Sequence, residues 1–189
     1  MNVGEALRDS AVFNLENAVT MVVDDSPFAL ELTTQALLGF GIKCRYVCHS
    51  AAEAMEILKD QDIDLLLVDS DMPGINGYEL IRWLRRSNLE PNAFAPVILM
   101  APHVRRRNLD EARDCGANFL VTKPFSAMTL LERLIWVAKD QRAFLTVGDY
   151  FGPDRRFRDS DRKEGAERRS DKIKLAQMQA DKAAADGAS

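Results

Sequence analysis

An α/β fold, a doubly wound parallel sheet of five strands, is what this sequence predicts for residues 18–142, on three observations. Short apolar runs recur along the chain. Amphipathic segments of helical period separate them. The two habits alternate strictly. The runs lie at residues 19–23, 42–47, 65–68, 97–100 and 119–121, and their Val, Ile and Leu content fits strands covered on both faces. Strands and helices in alternation imply right-handed crossovers.

The helices come in order. Ser26-Pro27 reads as an N-cap with proline at the first helical position, opening a segment through Leu30, Leu37 and Leu38 that stops at Gly39 and Gly41. Ser50 caps the next, with Glu53 three residues on completing a capping box before Met55, Ile57 and Leu58. Segments 77–86, 106–115 and 126–142 supply three more.

With 189 residues there is room for one ordinary domain and an extension. The 47% apolar and 29% charged composition is that of a globular protein, and the net charge of -4 offers long nucleic acid no global attraction. Residues 1–17 read as an N-terminal extension without a secretory h-region. No apolar run is long enough to cross a bilayer, so a cytoplasmic location without membrane insertion is expected. Cys44, Cys48 and Cys115 lack metal-ligand spacing and read as free thiols, the first two on one face of a strand.

In such sheets ligands sit at the carboxyl ends of the strands. The residues there are Asp24, Asp25, Asp69, Ala101 and Lys123. Carboxylates gathered on adjacent strand ends repel one another unless a cation joins them, and hard oxygen ligands suit Mg²⁺. Lys123 adds a charge that can pair with a carboxylate or a phosphoryl oxygen. Lone acids at loop starts are usually caps or solvated turns; charged groups at several strand ends of one sheet are harder to explain that way. His49 and His103 are isolated, and no general-base histidine accompanies the acids, so no enzyme acting on external substrates is expected.

Met-Val-Val-Asp-Asp-Ser at 21–26, Leu-Val-Asp-Ser-Asp-Met-Pro-Gly-Ile-Asn-Gly at 67–77, Ala-Pro-Val-Ile-Leu at 95–99 and Lys-Pro-Phe at 123–125 resemble the motifs of CheY-like response-regulator receiver domains. The resemblance implies a flavodoxin/CheY-like fold. It makes Asp69 the phosphoacceptor, served by a histidine kinase. Asp24, Asp25, Asp69 and the carbonyl of Asp71 become Mg²⁺ ligands, and Lys123 the phosphate-binding lysine, its bond to Pro124 usually cis in the family. Two positions depart from the pattern. Ala101 stands where the family has a hydroxyl that bonds the phosphoryl group, and Leu120 where it has the switch aromatic.

After residue 142 the reading changes to an arginine-rich arm and tail, 143–189, expected to be disordered alone for want of apolar surface, with a weak helical tendency near 171–185. Gly-x-acid-Arg-Arg occurs twice, thirteen residues apart, and each copy carries Arg-x-x-Asp: Arg156 to Asp159 and Arg168 to Asp171. A solvated charged tail is the plain reading. Against it, the basic residues of the repeats are always Arg, whose planar fork both stacks and hydrogen-bonds. Guanine suits that fork on O6 and N7, with carboxylates accepting from its N1–H and N2–H. Arg-x-x-Asp resembles the inhibitory-site motif of diguanylate cyclases. The arm behind a receiver resembles the Cle family of CheY-like cyclic di-GMP effectors, some of which act at the flagellar motor switch. The candidate cyclic di-GMP residues are Tyr150, Asp154, Arg155, Arg156, Arg158, Asp159, Arg168, Arg169, Ser170 and Asp171. The resemblance implies a flagellar motor switch component as partner and recruitment to the motor. Arg105, Arg106 and Arg107 at the start of the fourth helix oppose its dipole, and read as a solvated cluster, with a partner surface or an extra phosphate contact as the alternatives.

Overall fold

The computed structural model describes residues 17–102, 106–140 and 142–154, with the backbone alone for 106–109. The N-terminal residues 1–16, His103, Arg105 and everything beyond Asp154, including the helical tendency near 171–185, lie outside the described residues.

Five parallel strands stand in the order β2-β1-β3-β4-β5: β1 Thr20–Val23, β2 Cys44–Cys48, β3 Leu65–Asp69, β4 Val97–Ala101 and β5 Phe119–Thr122. The helices are α1 Pro27–Gly39, α2 Ala51–Asp60, α3 Gly77–Arg86, α4 Arg106–Cys115 and α5 Ala127–Ala138. Two apolar layers cover the sheet. Leu30 and Leu37 of α1 with Leu130, Leu134 and Val137 of α5 meet Val22, Leu67, Ile98 and Met100 on one face. Residues of α2, α3 and α4 meet Met21, Leu66, Val68 and Leu99 on the other. The predicted doubly wound sheet is therefore the fold.

Every residue of β1, β3 and β4 is buried, as strands covered on both faces must be. The edge strands β2 and β5 are only half covered. A register shift sits between Thr20 and Met21, which pair with Cys44 and Tyr46. That extra residue turns Cys44 toward the α1–α5 layer and leaves Cys48 in the opposite one, correcting the expectation that both thiols share a face.

Caps account for the helix starts. Ser26 accepts from the Ala29 N–H at 3.4 Å, and Ser50 from Glu53 at 3.2 Å. The Glu53 carboxylate accepts from His49, one residue earlier than a capping box requires. The complete box belongs to Asn76 and Glu79 at the head of α3. The last helix, expected to run to residue 142, ends at Ala138. Beyond it Asp140 is drawn into bonds with Arg142 at 2.7 Å and Asn118 at 3.1 Å, which tie the chain to the start of β5.

Residues placed by sequence in the arm fold as an antiparallel hairpin, β6 Phe144–Val147 and β7 Tyr150–Pro153, closed by Asp154 N–H on the Ala143 carbonyl at 2.8 Å. It packs at the amino ends of β4 and β5. Phe144 and Phe151 meet Phe94 edge to face, each with centroids 5.3 Å apart. Gly116 lies so close beneath that a Cβ there would be 2.8 Å from the Phe151 carbonyl oxygen. Arg85, 3% exposed, runs under the hairpin. Its Nε donates to the Gly116 carbonyl at 3.0 Å, Nη1 to Ala93 and Ala95 at 2.8 Å each, and Nη2 to Asn118 Oδ1 at 3.1 Å, while the Phe144 ring covers its Cζ at 5.0 Å. Arg85→Ala strands those acceptors and should cost on the order of 3 kcal/mol in urea unfolding. Phe144→Ala should cost about 1–2 kcal/mol and expose the turn at 148–149 to protease. Unchanged stability and an equally resistant turn in both variants would show that the hairpin is not docked.

Candidate functional site

Each strand delivers one part of the site from its carboxyl end. The fully buried β1 stops at Val23, so Asp24 comes next in the sheet's shadow, 1% exposed, while Asp25 turns outward. Asp69 ends β3 at 4% exposure. Lys123 follows β5, fixed by its own N–H on the Ala101 carbonyl at 2.7 Å and by a cis peptide bond to Pro124. The loop after β3 bends back so tightly that α3 begins against it. A Cβ on Gly77 would overlap the Asp69 carbonyl oxygen, so only glycine fits there.

One carboxylate oxygen from each of Asp24, Asp25 and Asp69 can be chosen so that all three lie within 4.8 Å of one another. Lys123 Nζ donates to Asp24 Oδ2 and to Asp69 Oδ1, each at 2.5 Å. The remaining carboxylate oxygens are held by backbone: Ser26 N–H on Asp24 Oδ1 at 3.0 Å and Asp71 N–H on Asp69 Oδ2 at 2.9 Å. Burial alone would depress the Lys123 ammonium, but its hydrogen bonds to Asp24 and Asp69 and their charges more than reverse this and hold it above its ordinary value. Three carboxylates against one ammonium leave an excess of two negative charges. Hard oxygen donors at this spacing, with Asp25 open to solvent, fit a small divalent cation such as Mg²⁺. Receiver domains bind Mg²⁺ through such an acidic cluster.

The sequence thus brings Asp24, Asp25, Asp69 and Lys123 together. The Asp71 side chain is exposed and stands outside the carboxylate cluster; the metal role implied for it rests on its carbonyl. Ala101 ends β4 fully buried beside Thr122, and Leu120 is partly buried against the α2–α4 layer. Tyr150 belongs to the hairpin, its hydroxyl donating to the Pro153 carbonyl at 2.7 Å, and Asp154 closes that hairpin. Arg155, Arg156, Arg158, Asp159, Arg168, Arg169, Ser170 and Asp171 lie outside the described residues, as do the side chains of Arg106 and Arg107. Sequence reasoning missed Ser70 and Tyr78, both buried beside Asp69, and Arg85 beneath the hairpin. A charged residue at a core position of the α3 pattern was the available signal for Arg85.

Lys123→Met leaves buried carboxylates uncompensated and should lower stability by on the order of 3 kcal/mol, with Mg²⁺ restoring part of the loss. The sign with pH comes from the raised lysine value. The stabilisation is complete below the ordinary 10.5 and fades as pH climbs through the higher folded value. The gap between wild type and variant in urea unfolding should therefore be constant from pH 7 to 10 and close above that. Buried Cys115, pushed up to about 11 from 9.0, weakens both proteins alike above pH 9 and cancels in the difference. A gap that stays open at the alkaline end would remove Lys123 from the electrostatic role.

The family described as the response regulator receiver domain matches residues 20–135. The chemotaxis protein CheY-3 of Vibrio cholerae is 29% identical over 124 residues, covering 66% of this chain and 93% of that one. The phosphate regulon transcriptional regulatory protein PhoB of Pseudomonas aeruginosa is 32% identical over 133 residues, covering 68% of this chain and 57% of that one. Among solved structures, a putative response regulator from Chloroflexus aurantiacus superimposes with a TM-score of 0.60 at 25% identity, over 65% of this chain and 98% of that one. Among the described residues no helix is long and apolar enough to cross a membrane.

Proposed function

Because this chain belongs to the response regulator receiver domain family, we infer that its acidic pocket accepts a phosphoryl group on Asp69. The observation that carries this reading is the bridge of Lys123 between Asp24 and Asp69, with Asp25 completing the carboxylate cluster. An Asp69 carboxylate oxygen forms a bond to phosphorus as the bond to the donor breaks, giving an acyl phosphate and a free donor group. The Asp71 N–H and Lys123 hold the carboxylate in one rotamer beforehand, which is the positioning such a transfer needs. Asp24, Asp25, Asp69 and the Asp71 carbonyl would hold Mg²⁺, which would supply positive charge to the phosphoryl oxygens. Lys123 then trades a carboxylate for a phosphoryl oxygen. A histidine kinase is the donor this chemistry fits. The pocket transfers the group to itself, in keeping with receiver domains as signalling modules rather than enzymes on external substrates.

A second reading concerns the arm, which we take to span 143–189 behind a receiver of 18–142. The doubled Gly-x-acid-Arg-Arg sequence favours cyclic di-GMP, two guanines meeting two arginine–carboxylate sets around Arg155, Arg156, Arg158, Asp159 and Arg168, Arg169, Ser170, Asp171, with Asp154 and Tyr150 at the base. Ordering such a segment on the ligand makes occupancy a switch for docking to a partner, a flagellar motor switch component on the Cle resemblance, in the cytoplasm. On this reading Ala101 and Leu120 loosen the usual coupling between phosphate and surface.

The two readings separate in two measurements. Acetyl phosphate with Mg²⁺ should add one phosphoryl group to the wild-type mass and none to Asp69→Asn; no gain in the wild type rejects the acceptor reading. Calorimetric titration with cyclic di-GMP should give saturable heat in the micromolar range, weakened at least tenfold in Arg168→Ala. Absence of heat in the wild type rejects the arm reading and leaves the first intact.

A further inference from the structure

Tyr78 stands in the first turn of α3, next in the chain to Gly77, which packs against the carbonyl of Asp69. It is 8% exposed, and its hydroxyl finds no hydrogen-bond partner among the described residues. A buried phenol deprived of both water and partner is disfavoured, whereas phenylalanine would fill the same volume without that penalty. The hydroxyl therefore points to a second arrangement in which it is used.

Its surroundings say what that arrangement involves. Along β3, Leu66 and Val68 face the α2–α4 layer, so the period of two puts Ser70 on that face as well. Along β4, Val97 and Leu99 do the same, which brings Ala101 there. Tyr78 and Leu120 belong to this layer. Ser70, 4% exposed, brings its hydroxyl toward that of Tyr78 without completing a bond. Burial pushes the Tyr78 phenol above its ordinary value; Ser70 pulls against this, and the charges of Glu111 and Asp69 add to the rise. The one hydroxyl pair on this face of the pocket is thus Ser70 with Tyr78, among the residues just named. Ser70 also sits between two backbone amides of different fate. Its own N–H is fixed on the Met100 carbonyl at 2.8 Å, whereas the Asp71 N–H rests on Asp69 Oδ2, an oxygen whose bonding changes if Asp69 is phosphorylated.

We propose that Ser70 and Tyr78 report the state of Asp69: a phosphoryl group there redraws the 69–71 turn, and the two hydroxyls close a hydrogen bond that shifts the first turn of α3 against α4. The same two helices hold the hairpin at their other ends, through Arg85 and Gly116. Occupancy of the pocket thereby reaches the base of the arm without a hydroxyl at 101 or an aromatic at 120.

This rests on the acceptor reading, and fluorine NMR tests the two separately. The full chain is labelled with 3-fluorotyrosine at its three tyrosines, Tyr78 being assigned by Tyr78→Phe and Tyr46 serving as internal reference. Beryllofluoride with Mg²⁺, a phosphoryl mimic, gives its own bound fluorine signals. Those signals should appear together with a shift of the Tyr78 resonance, and in Ser70→Ala they should persist while the Tyr78 shift falls at least twofold. Bound fluoride with an unmoved Tyr78, or an undiminished shift in Ser70→Ala, overturns the proposal and spares the acceptor reading. No bound fluoride overturns both. Unlabelled Tyr78→Phe adds a readout that packing alone would not move. Its melting temperature without the mimic should equal or exceed wild type, and its rise on adding the mimic should be smaller; an equal rise counts against the pair.

Discussion

A single ammonium group, Lys123 Nζ, lies between Asp24 and Asp69, and the carboxyl end of the sheet is organised around that contact. Both acids are nearly sealed from water, so their charge has few ways to be stabilised other than a protein cation or a metal. The topology makes the contact long-range. Lys123 follows β5 and must reach past the end of β4 to find Asp69 on β3 and Asp24 beyond β1. At β4 it meets Ala101, whose small side chain brings no charge to compete, and whose carbonyl anchors the lysine backbone. One interaction thus fixes three strand ends and leaves the excess negative charge that suits the pocket to Mg²⁺.

The amino end of the sheet solves a comparable problem differently. Arg85 is as buried as Asp69, yet among the described residues its partners are carbonyls, one side-chain amide and an aromatic face rather than carboxylates. Burial lowers its value to about 10, which still leaves it charged at neutral pH. A guanidinium can be held this way because its planar fork distributes charge over several acceptors at once, which an ammonium on a lysine could not match in this geometry. The hairpin is the lid of that cage. Its aromatic residues contribute apolar area and a cation–π face, which explains why a short two-stranded element, marginal alone, stays in place here.

How far the sequence carried this picture depends on the range of the cause. Strand and helix positions are local, and period, caps and glycine stops located them; α3 and α4 match their expected bounds. The charged cluster was legible because strand ends in a parallel sheet converge by topology alone. The bulge beside Cys44 was not, since it depends on how β2 registers on β1. Neither was the end of α5, where Asp140 answers to Arg142 and to Asn118, twenty-two residues away. The hairpin escaped because Phe144, Phe151 and Phe94 show no period; they form a cluster only once α3 and β4 place Phe94 beside the hairpin. Tyr78 drew no reading of its own within 77–86, because a missing partner is a property of three-dimensional packing, invisible in a pattern.

The acidic cluster and the residues around it answer to different physical demands. Asp24, Asp25 and Asp69 form the kind of acidic cluster through which receiver domains bind Mg²⁺, and Lys123 bridges two of them. Any buried donor that changes partner when the pocket changes can carry the signal, and the face that carries it sets which helices move. Placing that donor on α3 rather than at the ends of β4 and β5 directs the motion toward α4 and the hairpin. The match covers 93% of CheY-3 but 57% of PhoB, so relatives that share the receiver differ in how much chain lies outside it. In this chain the segment that follows the receiver begins with a hairpin held by Arg85 of α3 and by Gly116 just after α4, at the opposite end of α3 from Tyr78.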